Sequence, residues 1–104
     1  MLKENFKKLI KNNEGKSFVI RTTNKEEYMA VLETLVEMDF KPSVPLDTLE
    51  NMMNGMVEEI GYNNYWRVCS RMGVTWNDSL EHWKQYTNDI VGFDNNGKIY
   101  FLVD

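Results

Sequence analysis

Three tetrapeptides, Thr23-Asn24-Lys25-Glu26, Asp47-Thr48-Leu49-Glu50 and Asp78-Ser79-Leu80-Glu81, each place a capping side chain three residues ahead of a glutamate. In such a capping box the first side chain and the glutamate satisfy backbone N–H groups that a helix leaves free in its first turn. A chain of 104 residues with three of them has three helix starts fixed in advance. The likeness of DTLE to DSLE reads as two uses of one cap, not as an internal repeat.

Apolar spacing extends each start. Tyr28, Leu32, Leu35 and Val36 form one stripe, which predicts an amphipathic helix over residues 24–38. Pro42 and Pro45 end that unit and impose extended backbone. Leu49, Met53, Met56, Val57 and Ile60 follow the second box at helical spacing, with Asn54-Gly55 leaving open whether the helix is continuous or broken in two. The third box opens a helix whose inner face is Leu80, Trp83, Tyr86 and Ile90. At the N-terminus, Leu2, Phe6, Leu9 and Ile10 predict a further helix that stops near Asn13 and Gly15.

Strands fill the remainder. The β-branched run Ser17–Thr22 reads as one. In IVGFDNNGKIYFLV, apolar runs flank Asn96-Gly97, the pair preferred in tight hairpin turns. Residues 61–75 fit two patterns. Trp66, Val68 and Ser70 alternate with Tyr65, Arg67 and Cys69 as in a hairpin, whereas Tyr65, Val68, Cys69 and Met72 fit a helix closed by Gly73. The aromatic and β-branched content favours the hairpin. The expected architecture is one α+β domain over residues 1–104, a small antiparallel sheet with a C-terminal β-hairpin, packed on one face by three to four helices.

Composition excludes several classes. With 42% hydrophobic and 27% charged residues the chain is a globular domain and not a disordered one. No apolar run approaches the roughly 20 residues of a membrane span, and the first fifteen residues lack the apolar core and cleavage site of a secretory signal. The single cysteine, Cys69, cannot form an internal disulfide, which points to a reducing compartment and a cytoplasmic location.

The inventory for chemistry is thin. His82 falls on the helix side shared by Asp78, Gln85 and Asp89, the side expected to face water and not a pocket. Cys69 reads as a small apolar residue, not an activated thiol. One Cys and one His cannot build the usual zinc site within one chain, so no metal and no cofactor are expected. Glu26, Glu33 and Glu37 lie on an outward helix face where nothing desolvates them, so none is poised as an acid or base. NNEGK and DNNGK fall short of a phosphate-binding loop. No catalytic residue is assigned, and the chain is not expected to be an enzyme.

Charge and aromatics remain as functional signals. Residues 1–25 carry seven basic groups against two acids, whereas residues 26–63 carry nine acids against Lys41 alone. The acidic stripe of Glu26, Glu33 and Glu37 suits a basic protein surface, and it could compete there with nucleic acid. The rival reading places phosphates on Lys3, Lys7, Lys8 and Lys11, but a net charge of −4 argues against direct nucleic-acid binding. Nine of the thirteen aromatics lie between residues 62 and 101. Most must fill the core, with Tyr62, Tyr65 and Trp66 of the GYNNYW segment expected to be exposed for a partner.

The block SFVIRTTNKEEYMAVLETLVEMDF, with the later VTW and IVGFDNNGKIYFLV, resembles short accessory proteins of phages and mobile elements of AT-rich Gram-positive bacteria. Twelve asparagines beside one alanine suit such a genome. The resemblance covers roughly half the chain and is one of a strand–helix pattern with a late strand pair, so it transfers no functional residues. It implies a protein that binds a host protein, as inhibitors of host-defence nucleases such as anti-CRISPR proteins do, and the chain is expected to be a monomer or small homo-oligomer.

Overall fold

The computed structural model describes residues 1–42, 48–69 and 73–103. Along the chain run α1 (Leu2–Asn12), β1 (Phe18–Thr22), α2 (Lys25–Glu37), β2 (Lys41–Pro42), α3 (Leu49–Ile60), β3 (Asn64–Val68), β4 (Gly73–Asn77), α4 (Leu80–Lys84), β5 (Ile90–Phe93) and β6 (Ile99–Phe101). The strands form one sheet in the order β2-β4-β3-β1-β5-β6. This is the α+β class expected, with its C-terminal hairpin.

All three boxes start helices, but one residue later than the tetrapeptides suggest. The N-caps are Asn24, Thr48 and Ser79, whose side-chain oxygens accept from the backbone N–H of Glu27 (2.9 Å), Asn51 (3.1 Å) and His82 (3.3 Å). At α2 the reciprocal half of the box is made by Glu27. Its carboxylate is buried and accepts from both the backbone N–H and the hydroxyl of Thr23. Asp47 and Pro45 lie outside the described residues. Helix α3 is continuous through Asn54 and Gly55, both on its exposed side.

Two boundaries differ from expectation. Helix α4 ends at Lys84, and Ile90 belongs to a strand instead of the helix's inner face. The Thr87 hydroxyl accepts from the Asp89 N–H at 3.0 Å, a local turn that competes with further helix. The carbonyl of Asp89 then accepts from the Val19 N–H at 2.8 Å and commits the chain to the sheet. In the β5–β6 hairpin, Asp94 replaces the two-residue turn with a three-residue loop. Its N–H donates to the Lys98 carbonyl, its carbonyl accepts from Gly97, and its carboxylate accepts from the N–H groups of Asn96 and Lys98. Gly97 has the positive φ of 77° that the third loop position demands.

The sheet is mixed, not purely antiparallel. β1 pairs antiparallel with β3 and parallel with β5, and β2 pairs parallel with β4. Of the two patterns, the hairpin's strand pairing is the one present, between Asn64–Val68 and Gly73–Asn77. Trp66 stands opposite Trp76 and Val68 opposite Val74.

Strand alternation gives the sheet two apolar faces. Phe18, Ile20, Trp66, Val68, Val74, Val91 and Phe93 join Phe6 and Ile10 of α1, Tyr28, Val31, Leu32 and Leu35 of α2, and Leu49, Met53 and Met56 of α3 in the main core. The opposite face carries Val19, Tyr65 and Ile90 beneath Trp83 of α4, with Leu80, Leu102 and Val103 packed around them. Three helices therefore cover one face, and α4 lies on the other.

Candidate protein-interaction surfaces

Asn24 and the buried Glu27 fix the rotation of α2, and that rotation divides the acidic stripe. Glu26, Glu33 and Glu37 all face outward on α2. Glu37 is committed within the molecule. Its carboxylate meets the Lys3 ammonium at 2.6 Å and that of Lys7 at 3.5 Å. The hydrogen bond from Lys3, with the nearby positive charges, holds the Glu37 carboxyl below its ordinary range, and the same bond raises Lys3. Glu26 and Glu33 are different. Among the described residues neither takes part in an ion pair. Together with Glu4 and the Lys3 ammonium, on which the charge of Glu33 also acts, they rim an open groove of about 490 Å³ between α1 and α2, floored by Leu2, Met29 and Ala30. Three carboxylates against one lysine ammonium over an apolar floor fit a basic protein surface that also presents an apolar side chain.

The three aromatics expected on a loop are part of the folded framework, which corrects that reading. Trp66 is fully buried in β3. Its indole N–H donates to the Thr22 hydroxyl at 3.0 Å, and its ring lies 5.2 Å from that of Tyr28. Tyr65, next in the strand, points to the opposite face and is covered there with Trp83. Tyr62 is half-buried, its ring edge-on to Tyr28 at 5.3 Å. Burial between these rings pushes the Tyr28 phenol up to about 12, with Tyr62 adding to the effect. GYNNYW is therefore the entry into an inner strand, and side-chain alternation buries both of its last two aromatics.

The residues singled out for chemistry do not converge. His82 is half-buried against the rings of Trp83 and Tyr86, at 4.7 and 5.3 Å. Cys69 is half-buried at a cleft of about 380 Å³ lined by Ile10, Phe18, Met38, Phe40 and Val68. Among the described residues no three of His, Cys, Asp or Glu lie close enough to hold a metal ion, and no helix is long and apolar enough to cross a membrane.

The exposed aromatics are others. Tyr86, Phe101 and Tyr100 keep 70%, 68% and 41% of their surface. Tyr100 is oriented by Arg21, whose guanidinium passes beside Gly92 and donates to the phenol oxygen at 2.8 Å. The sequence does contain a sign of this surface. In IYFLV successive residues are apolar, although a strand at a sheet edge cannot bury both faces and its outer edge at once.

Comparison with protein-family models, with curated proteins and with solved structures returns no match for this chain.

Proposed function

We propose that this chain is a non-catalytic binding module that works in the cytoplasm by occupying a basic surface of a host protein, as phage-type inhibitors and modulators do. The observation that carries the reading is the pair Glu26 and Glu33, both exposed, free of ion pairs among the described residues, and set on the rim of an apolar groove. Their counterpart Glu37 is neutralised internally, so the outward field of the stripe is concentrated at its N-terminal two thirds. The rival reading loses two of its four lysines to that same ion pair, since Lys3 and Lys7 already face a carboxylate.

Immobilised wild-type chain is expected to retain a basic host protein from lysate at low salt and to release it as salt screens the contact. Replacing both rim residues, Glu26→Lys with Glu33→Lys, is expected to abolish retention while the chain stays folded, with a small fall in melting temperature because Glu26 lies in the first turn of α2 and Glu33 is near Lys3. Retention that survives the double reversal ends the acidic-rim reading. Glu37 is unsuitable for this test, because its loss also unpairs Lys3.

A further inference from the structure

The geometry points to a second binding surface, independent of the acidic rim. The outer edge of β6 and the groove beside it accept an extended segment of a partner protein in which an apolar side chain is flanked by carboxylates. Among the described residues β6 ends the sheet, with β5 on one side only. The Lys98 carbonyl accepts from Asp94, and the Leu102 N–H donates to Ile90. In an antiparallel ladder alternate residues bond to the neighbouring strand, so Lys98, Tyr100 and Leu102 face β5, and the backbone groups of Ile99 and Phe101 face outward. An added strand has these groups to pair with, the mode by which sheet edges bind peptides.

Side chains make the edge selective. Between β6 and α1 lies an open groove of about 460 Å³, with Leu9, Val91, Ile99 and Phe101 as its apolar surface and Lys8 and Lys98 at its borders. α1 is fixed against the hairpin by Asn5, whose amide donates to the Gly97 carbonyl at 2.7 Å. Among the described residues no carboxylate lines this groove, and neither Lys8 nor Lys98 is ion-paired. Lys11, Lys16 and Lys25 are likewise unpaired among the described residues, whereas Lys3, Lys7, Lys41 and Lys84 each have an acidic neighbour within 4 Å; Lys8 and Lys98 differ in bordering one apolar groove together. Charge selects the occupant. A second copy joined edge to edge would bring two such lysine pairs together with no acid among the described groove residues to offset them. An acidic segment supplies the missing sign.

The test is fluorescence anisotropy with a short labelled peptide alternating valine and glutamate, against its lysine counterpart and against the same peptide N-methylated along one edge. The glutamate peptide is expected to bind, to weaken with salt, and to lose about tenfold in affinity to Lys8→Glu with Lys98→Glu, both exposed positions. N-methylation is expected to abolish binding, and hydrogen exchange at the Ile99 and Phe101 amides is expected to slow only when the unmethylated peptide is present. Equal binding of the lysine peptide overturns the proposal, as does binding that N-methylation leaves intact. So does slowed exchange at those amides in a peptide-free dimer, which would identify a second copy as the occupant. The Glu26 and Glu33 substitutions are expected to leave this peptide's affinity unchanged, so the two surfaces stand or fall separately.

Discussion

Lys3 and Glu37, thirty-four positions apart in the chain, hold their charged groups 2.6 Å from each other and tie α1 to α2. The pair has a consequence for pH dependence. The Glu37 carboxyl titrates below its ordinary value of 4.5, so its stabilisation is present at neutral pH and is lost as pH falls through the lowered value. Lys3 titrates above 10.5, so its share is present at neutral pH and lost only in strong alkali. Glu37→Gln is therefore expected to flatten the fall in melting temperature between neutral pH and about pH 3, chiefly at low salt. Identical acid slopes for wild type and variant would show that the ion pair contributes nothing to stability.

A second prediction concerns the hydroxyl beneath Trp66. Thr22 Oγ1 accepts from the indole N–H at 3.0 Å and donates to the Tyr62 carbonyl at 2.9 Å, inside a region where Thr22 and Trp66 are both fully buried. Thr22→Val keeps the shape and removes both bonds, leaving a buried N–H without an acceptor. The expected loss is about 1–3 kcal/mol in denaturant unfolding. Thr22→Ser keeps the oxygen and is expected to recover most of it. Equal losses in the two variants would assign the effect to packing.

Local signals in the chain foretell local structure and little beyond it. The capping boxes, the stripe of Tyr28, Leu32 and Leu35, and the apolar runs around Gly97 all specify elements, and each element is present. The cap position slips by one residue because Thr23-Asn24, Asp47-Thr48 and Asp78-Ser79 each offer adjacent capping side chains. The parallel pairing of Val19–Arg21 with Ile90–Gly92 joins segments some seventy positions apart, which no short-range pattern encodes. The candidate site fared similarly. Glu26 and Glu33 are exposed as α2's periodicity predicts, but the lysines that claim Glu37 come from a different helix. Trp66 looks like a loop residue only until β4 and β1 flank it on both sides.

The capping register itself can be tested. Glu26 is exposed, whereas Glu27 is buried and takes two hydrogen bonds from Thr23. Glu27→Ala is expected to lower stability by about 1–2 kcal/mol, Asn24→Ala by about 1 kcal/mol, and Glu26→Ala by no more than about 0.5 kcal/mol. The reverse order, with Glu26 the costlier loss, would place the box on Thr23 as the tetrapeptide alone suggests.

Two residues in left-handed backbone give predictions of opposite sign. Helix α2 closes with Phe40 N–H bonded to the Leu35 carbonyl, and Asp39 between them holds a φ of 63°. Glycine is the usual residue at this point of such a helix end, since a Cβ there is strained. Among the described residues, the one contact Asp39 makes with a cation, 2.8 Å to Lys41, is highly exposed on both sides and adds little. Asp39→Gly is therefore expected to raise stability by about 0.5–1 kcal/mol. Gly97 holds a φ of 77°, and a Cβ built there would lie 3.2 Å from Leu2 Cδ2. Gly97→Ala combines backbone strain with a displaced α1 side chain, and a loss of more than about 1 kcal/mol is expected. Thermal unfolding of the two variants beside wild type decides the matter: shifts in the same direction would mean that backbone conformation does not govern stability at these positions.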